Sequence, residues 1–239
     1  SDPYGWNDLG NVLTLAGHVA QFAAFAVLWP LFDAPLDAPG RVWRSLAAAG
    51  LLLVYCITDS LDGMHARKLG RQNPLGDFLD HGLDAFAGLF VPLGGLAAYG
   101  ATSDMRVVTA TAFALGWWAN TLDRRTRRAL VLPAFGAMEA NFLTIGVHVA
   151  AAIAGPALWE PVWNGYGLLH ALFAVSTFGY LKVAVEALWT AGPARAHASR
   201  YFLDVALVLA WYAWAGAQRV WPWDTLVAPL LIGLVAVVH

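Results

Sequence analysis

Long apolar runs dominate this chain, and short polar segments rich in turn-forming residues separate them. A helix needs about 20 mostly apolar residues to cross the hydrocarbon core of a membrane. Runs of this kind predict eight transmembrane helices, at residues 11–31, 42–64, 77–99, 106–122, 134–155, 163–190, 200–217 and 224–238. The last two are also compatible with one hairpin that crosses only part of the membrane. The predicted fold is an all-α, polytopic integral membrane helical bundle that forms a single domain over residues 1–239.

The composition agrees with a membrane protein and argues against binding to nucleic acid. Apolar residues make up 59% of the chain and charged residues 13%, whereas a typical soluble domain has about 25% charged residues. The formal net charge is -2, so the chain has no general positive field. Twelve tryptophans suit many membrane–water interfaces. The single cysteine, Cys56, excludes an internal disulfide.

Positive charge is divided unevenly between the two sets of alternating loops. One set carries nine basic residues: Arg67, Lys68, Arg71, Arg124, Arg125, Arg127, Arg128, Arg195 and Arg200. The other set carries four: Arg41, Arg44, Arg106 and Arg219. Because cytoplasmic loops hold the excess of lysine and arginine, the loop after the second span is predicted to face the cytoplasm.

Between the second and third spans lies the segment TDSLDGMHARKLGRQNPLGDFLDHGLDA, which contains five aspartates. Asp59 and Asp62 are three residues apart, and Asp80 and Asp84 are four apart, so each pair shares one face of a helix. Asp77 follows a turn and is interpreted as a helix N-terminal acid. Glycine, asparagine and proline between the pairs can turn the chain back. The other four carboxylates are therefore predicted to meet at the cytoplasmic edge of the membrane.

Four carboxylates in a partly desolvated site would repel one another strongly unless cations balanced them. Two divalent ions supply the required charge, and ligands that are all oxygen suit Mg²⁺, Mn²⁺ or Ca²⁺ rather than zinc. The pattern therefore predicts two divalent cations, held by Asp59, Asp62, Asp80 and Asp84. A two-metal site of this kind suits the binding of a diphosphate and its in-line displacement.

Small and basic residues continue the aspartate face of the second span. Gly63 and Ala66 lie four and seven residues after Asp59, and their lack of bulk would let a base or a ribose approach the helix backbone. Arg67 follows directly, and its guanidinium presents a planar fork of donors to phosphate oxygens. These residues predict a nucleotide site beside the metals.

The fixed positions of this segment resemble the signature of the CDP-alcohol phosphotransferase family. The shared pattern is Asp59-x2-Asp62-Gly63-x2-Ala66-Arg67-x8-Gly76-x3-Asp80-x3-Asp84. The resemblance implies that an alcohol hydroxyl attacks the β-phosphorus of a CDP-linked substrate, that CMP leaves, and that a phosphodiester lipid forms. It also implies Asp84 as general base, a homodimer, and a six-helix core to which two further spans are added. The CDP pocket that it implies consists of Asp59, Asp62, Gly63, Ala66, Arg67 and Gly76.

The filling of the motif resembles the choline and ethanolamine phosphotransferase branch of that family. The branch carries a similar PLG…DHG…D segment, which here runs from Pro74 through His81 to Asp84. The chain departs from the branch at His65, where a glutamine is common, and at Lys68, where an arginine is common. The resemblance implies transfer of phosphocholine or phosphoethanolamine to a lipid hydroxyl such as that of diacylglycerol.

Glu139 opens the fifth predicted span, where the branch carries an acidic residue. Two interpretations stay open: a helix N-terminal acid, or an alternative to Asp84 as the base for the lipid hydroxyl. His81 is turned about 100° from Asp80 on a helix, and is interpreted as a support for the headgroup pocket or a neighbouring helix. His148, within the fifth span, is interpreted as a packing residue.

Two other functions remain open from the sequence. An enzyme that uses CDP-diacylglycerol would transfer a phosphatidyl group to a soluble alcohol such as serine, glycerol phosphate or an inositol, and would need a polar vestibule near Asp84. A cation transporter or channel would need acids distributed through the depth of the membrane. The four motif acids share one depth, which favours a membrane enzyme over a cation path. The paucity of charge in the later spans favours a lipid acceptor.

Overall fold

Six long helices make up most of the protein in a computed structural model, which describes residues 9–70, 74–127 and 136–190 together with residues 206, 210 and 214. The helices are α1 (Leu9–Leu28), α2 (Arg41–Leu69), α3 (Pro74–Ala98), α4 (Ser103–Arg127), α5 (Ala137–Ala154) and α6 (Leu168–Thr190). Short 3-10 turns, Trp29–Leu31 and Gly155–Trp159, extend α1 and α5. Within these residues no β-strand occurs beyond an isolated bridge between Trp163 and Tyr166, so the predicted all-α class is confirmed there.

Five helices in the described part of the chain are long and apolar enough to cross a membrane. These candidate spans are Leu9–Leu31, Arg41–Leu69, Phe78–Ala98, Ala137–Trp159 and Leu168–Trp189. They correspond to the first, second, third, fifth and sixth predicted spans and indicate an integral membrane protein. The fourth prediction, 106–122, lies inside α4, which is not among the five. Apart from three single positions, the predictions at 200–217 and 224–238 lie outside the described residues, so eight spans are not confirmed.

Helix α1 packs closely against both α2 and α3, whereas α2 and α3 make little direct contact with each other among the described residues. Gly17 permits the close approach of α1 to α2, because a Cβ atom at this position would lie 2.4 Å from Thr58 Oγ1. Deeper in the bundle, Phe25 of α1 belongs to a buried cluster with Leu52 of α2 and Phe90 of α3. The two helices that carry the aspartates are therefore held by α1.

The end of the bundle opposite the α2–α3 turn is closed by aromatic and polar contacts. Tyr99, just after α3, stacks on Trp159 with ring centroids 4.3 Å apart. Its hydroxyl donates to Ser45 Oγ at 3.0 Å and lies 2.5 Å from His148 Nδ1, which agrees with a packing role for His148. These contacts place the beginning of α2 and the ends of α3 and α5 together. Helix α4 begins at this end, at Ser103, and packs along α6.

Two arginines at this second end are engaged by the protein itself. Arg41 is buried and donates to the backbone carbonyl oxygens of Ala98 and, at 2.6 Å, of Pro35. Arg106 is also buried, and its Nη2 lies 3.1 Å from Asp33 Oδ1. Arg41 and Arg106 belong to the set of four basic residues in the less basic loops. Both therefore make contacts within the protein at this end of the bundle.

Candidate active site

The four motif aspartates lie at matching depths on α2 and α3. Asp59 is ten residues before the last residue of α2, and Asp84 is ten residues after the first residue of α3. Asp62 is seven residues before that end, and Asp80 is six residues after that start. Because the helices run in opposite directions and each residue adds about 1.5 Å, Asp59 is level with Asp84, and Asp62 with Asp80. The helix bounds therefore place the two pairs at matching depths.

All four carboxylates interact electrostatically with one another, in each of the six possible pairs. Asp62 is the most buried, with 8% of its surface exposed, and the other three are partly buried. In the described part of the chain no lysine or arginine forms a salt bridge with them, and the imidazoles of His18 and His81 lie beside Asp84 and Asp80. The site therefore concentrates negative charge at one level of the bundle.

Helix α1 supplies hydrogen-bonding partners to this cluster. Thr14 Oγ1 donates to Asp62 Oδ2 at 2.5 Å. His18 Nε2 lies 3.3 Å from Asp84 Oδ1, and His18 Nδ1 lies 2.9 Å from the carbonyl oxygen of Thr14. Tyr55 of α2 also donates to Asp84 Oδ1, at 3.2 Å. The Thr14 carbonyl accepts the proton of His18 Nδ1, so the other ring nitrogen, Nε2, faces Asp84 Oδ1.

No site role was predicted for Thr14 or His18, although the sequence contains a signal for them. Asn11, Thr14, His18 and Gln21 are buried polar residues at steps of three, four and three along an otherwise apolar span. That spacing puts them on one face of a helix. Polar residues within a membrane span face the interior of a bundle and mark functional positions, and Thr14 and His18 of this stripe contact the aspartates.

The residues predicted to bind the nucleotide lie at the motif end of the bundle, where α2 ends and α3 begins. Arg67, in the last turn of α2, is exposed, and a Cβ atom on Gly63 would lie 3.1 Å from its Nη1. The absence of a side chain at Gly63 therefore leaves room for the guanidinium. Gly76 is in the first turn of α3. Ala66 belongs to α2, but its side chain lies outside the described part of the chain.

Glu139 is exposed at the start of α5, and its Oε2 accepts a hydrogen bond from the backbone N–H of Gly136 at 2.8 Å. This contact agrees with the interpretation of Glu139 as a helix N-terminal acid, and a catalytic role stays a prediction. His81 follows Asp80 directly, with its Nδ1 3.8 Å from Asp80 Oδ2. His81 therefore lies beside the carboxylate cluster on α3.

The carboxylate cluster fits divalent cations by its chemistry. In the residues that the structure describes, no three side chains of metal-binding type converge closely enough to ligate one ion. The donors are nevertheless all carboxylate oxygens, which suit Mg²⁺ or Mn²⁺, and every pair of them is repulsive. The residues that could hold such ions between the two helices are Asp59, Asp62, Asp80 and Asp84.

A family model described as CDP-alcohol phosphatidyltransferase matches residues 8–227 of the chain. The CDP-diacylglycerol–serine O-phosphatidyltransferase of Encephalitozoon cuniculi is 31% identical over 156 residues, which cover 64% of this chain and 40% of that protein. Choline/ethanolaminephosphotransferase 1 of Arabidopsis thaliana is 31% identical over 153 residues, which cover 62% of this chain and 38% of that protein. Cholinephosphotransferase 1 of Saccharomyces cerevisiae is 29% identical over 158 residues, which cover 64% of this chain and 39% of that protein.

These relatives carry names of two kinds, one for transfer of a phosphatidyl group to serine and one for choline and ethanolamine phosphotransfer. The chain spans less than half the length of each of the three. Relatives of both kinds are about equally identical to this chain, so the identities do not decide between the two kinds of substrate. The choice between them rests on the surroundings of the aspartates.

Proposed function

The chain belongs to the CDP-alcohol phosphatidyltransferase family, and from that premise we propose that it transfers phosphocholine or phosphoethanolamine from a CDP-alcohol to a lipid hydroxyl such as that of diacylglycerol. CMP is the second product. The observation that carries the proposal is the level arrangement of four mutually repelling carboxylates on α2 and α3. A site of this kind suits a diphosphate that is bound together with cations.

In the proposed reaction, the oxygen of the lipid hydroxyl forms a bond to the β-phosphorus of the CDP-alcohol. The bond between that phosphorus and the oxygen bridging to the α-phosphate breaks, and CMP leaves with that oxygen. Asp84 is the proposed general base and takes the proton of the hydroxyl. Glu139 is the weaker candidate for this role, because its carboxylate is exposed and caps α5.

The same aspartates would hold two divalent cations, Mg²⁺ or Mn²⁺. When bound, such ions offset the charge of a diphosphate and polarise its oxygens. Helix α2 would provide Asp59 and Asp62 as ligands, and helix α3 would provide Asp80 and Asp84 at matching depths. We propose the CDP pocket beside them, with Arg67 directed at phosphate oxygens and with Gly63, Ala66 and Gly76 leaving room for the nucleotide.

The surroundings of Asp84 support a lipid acceptor over a soluble one. Its described hydrogen-bonding partners are the neutral hydroxyl of Tyr55 and the imidazole of His18. A phosphorylated or otherwise anionic soluble alcohol would be expected to bind lysine or arginine at this place. On α6 the charges of Lys182 and Glu186 pair with each other at 2.8 Å, so they offer no free basic group. The alternative, transfer of a phosphatidyl group to serine, is supported by the relative from Encephalitozoon cuniculi.

A substrate comparison tests the proposal directly. Purified protein in detergent–lipid micelles with Mg²⁺ or Mn²⁺ receives CDP-choline, CDP-ethanolamine or CDP-diacylglycerol, each with diacylglycerol and with serine as separate acceptors. We expect CMP release from CDP-choline or CDP-ethanolamine with diacylglycerol to exceed that from CDP-diacylglycerol with serine by about tenfold or more, because discrimination by polar groups of a substrate is strong. Release of CMP and formation of labelled lipid are both measured.

The reverse preference would refute the proposal and support the alternative function. CMP release from CDP-diacylglycerol that requires serine would identify a phosphatidyltransferase. Ion flux through vesicles that contain the protein, with no CMP from any substrate, would favour the transporter interpretation over both enzymes.

We propose that the motif end of the bundle faces the cytoplasm and that α4 is a sixth crossing. The first statement rests on the excess of basic residues in the loops at that end. The second rests on the positions of the neighbouring helices, since α3 and α5 both end at the opposite side. Helix α4 therefore has to return along the bundle, where it packs on α6. A homodimer is proposed from the family resemblance.

A further inference from the structure

His18 is a buried imidazole within a membrane-spanning helix, and it lies outside the motif that defines the family resemblance. Only 1% of its surface is exposed. A polar group at such a position is costly unless it is hydrogen-bonded. Its Nδ1 is anchored on the carbonyl oxygen of Thr14, one turn earlier in α1, and its Nε2 is directed at Asp84 Oδ1 on α3. The ring is therefore fixed at one nitrogen and contacts the proposed general base with the other.

Tyr55 supports the same carboxylate oxygen from α2. Its hydroxyl donates to Asp84 Oδ1 at 3.2 Å, and its ring lies edge-on to that of His18 with centroids 5.5 Å apart. Both described contacts go to Oδ1, so they hold that oxygen and leave Oδ2 for a cation or for the proton of the acceptor hydroxyl. The orientation of Asp84 thus depends on two helices other than its own.

Thr14 makes the corresponding contact with the other half of the motif. Its Oγ1 donates to Asp62 Oδ2 on α2, one turn of α1 before the contact of His18 with Asp84 on α3. In the described residues α2 and α3 contact each other little, whereas both pack closely on α1. Successive turns of α1 therefore connect the two aspartate pairs.

We propose that His18 is a positioning residue for Asp84, and that together with Thr14 it sets the separation of the aspartates of α2 from those of α3. The proposal rests on the function proposed above, because it concerns the same carboxylates. Displacement of a reacting group by about 1 Å can cost about 100-fold in rate, and groups that support metal ligands tune metal affinity. A histidine that only filled space would be replaceable by an aromatic ring of similar size.

Two substitutions at His18 separate positioning from packing. His18→Phe keeps an aromatic ring and removes both hydrogen bonds, whereas His18→Gln keeps an N–H group able to reach Asp84. For His18→Phe we expect kcat for CMP release to fall about 10- to 100-fold and Mn²⁺ affinity to fall about 10-fold, with KM for the CDP-linked substrate within about twofold of wild type. His18→Gln should recover most of the loss. Val19→Ala, on the exposed side of α1, is the matched control and should keep wild-type values.

Wild-type kcat and Mn²⁺ affinity in His18→Phe would overturn the proposal, and so would a His18→Gln variant no better than His18→Phe. If His18→Phe does not yield monodisperse protein, Tyr55→Phe removes one hydroxyl from the same oxygen and should lower kcat about 2- to 10-fold. An unchanged kcat in Tyr55→Phe would then count against the proposal.

Mn²⁺ binding, followed by electron paramagnetic resonance, keeps this proposal distinguishable from the proposed function. Wild-type protein that binds Mn²⁺ but releases no CMP from any CDP substrate would refute the function, and the Mn²⁺ affinity of His18→Phe would still decide the positioning role. Wild-type protein that neither binds Mn²⁺ nor releases CMP would refute both.

A separate cavity deeper in the bundle is lined by two residues that each have a buried polar atom without a partner in the described residues. The cavity measures about 10 Å³ and is lined by Gln21 of α1, His148 of α5 and apolar side chains that include Leu52 and Phe90. Gln21 Oε1 and His148 Nε2 have no hydrogen-bonding partner there, and the two residues are only 3% and 1% exposed. This observation is independent of the aspartate cluster.

The hydrogen-bonding chemistry of the cavity requires a donor. Tyr99 donates its hydroxyl proton to Ser45 Oγ, and His148 Nδ1 lies 2.5 Å from the same hydroxyl oxygen. With the Tyr99 proton donated to Ser45 Oγ, we assign His148 Nδ1 as the donor to Tyr99, which leaves Nε2 as an acceptor. Gln21 Oε1 is an acceptor as well, so the two atoms cannot satisfy each other. A water molecule has two donors and fits a space of about 10 Å³.

The geometry points to one bound water molecule between Gln21 and His148, which joins α1 to α5. A structure of the full chain that resolves water should show density within hydrogen-bonding distance of Gln21 Oε1 and His148 Nε2. Gln21→Met, of the same length without the amide, should lose that density and unfold at a lower temperature in detergent than Val19→Ala. An empty cavity, a direct Gln21–His148 hydrogen bond, or density that persists in Gln21→Met would each overturn the inference.

Discussion

Asp84→Asn is expected to lower the rate of CMP release by about 10²- to 10⁴-fold, the usual contribution of a general base. The amide has the size of the carboxylate and can still contact His18 and Tyr55, but it cannot accept the proton of the hydroxyl. It also removes one of the negative charges that would hold the cations. The measurement is the initial rate of CMP release by purified protein in micelles, at saturating divalent metal and with the preferred CDP substrate.

Asp104→Asn is the matched control for this variant. Asp104 is exposed in the first turn of α4, which begins at the opposite end of the bundle from the motif, and its substitution should leave the rate unchanged. Near-normal CMP release by Asp84→Asn would refute the assignment of the base. Glu139→Gln would then be decisive, since it is expected to have little effect if Glu139 only caps α5.

Removal of divalent metal is expected to abolish CMP release, by about 10³-fold or more, because offsetting diphosphate charge contributes several kcal/mol to the transition state. The physical reason is the charge of the site, because the four carboxylates repel one another in every pair. In the described part of the chain no lysine or arginine forms a salt bridge with any of them. A diphosphate would add further negative charge. Activity is measured after chelation and after addition of Mg²⁺, Mn²⁺, Ca²⁺ or Zn²⁺ in turn.

Recovery with Mg²⁺ or Mn²⁺ is the expected result, and Zn²⁺ should restore less because the ligands are all carboxylate oxygens. Asp59→Asn and Asp80→Asn take one ligand from each helix, and each should raise the metal concentration needed for half-maximal activity. Full activity in chelator, in protein shown to be free of metal by elemental analysis, would contradict the two-metal proposal.

The spacing of apolar and acidic residues predicted the parts of this structure that depend on single helices. The six helices that the structure describes overlap the first six predicted spans, and five of them are long and apolar enough to cross a membrane, because length and hydropathy are local properties of a segment. The shared faces of Asp59 with Asp62 and of Asp80 with Asp84 follow from the helical repeat alone. Helix α4 is not among the five candidate spans, so the fourth predicted span is not confirmed.

Contacts between helices could not be read from the same pattern. Thr14 and Asp62 are 48 residues apart in sequence, and His18 and Asp84 are 66 apart. Their meeting depends on how closely α1 approaches α2, which Gly17 permits against Thr58. The polar stripe of α1 was visible in the sequence, but its partners depend on the rotation of α1 about its own axis. Packing of the whole bundle determines that rotation.

The sequence by itself therefore determined five candidate membrane-spanning helices, the shared faces of the four aspartates and the depths at which they lie, because rise and rotation per residue are constant within a helix. The tertiary structure alone decided that α1 stands against both motif helices and that His18 and Tyr55 hold one oxygen of Asp84. The physical reason is that side-chain packing across three helices, and not the repeat of any one of them, sets the distances between carboxylates and their partners.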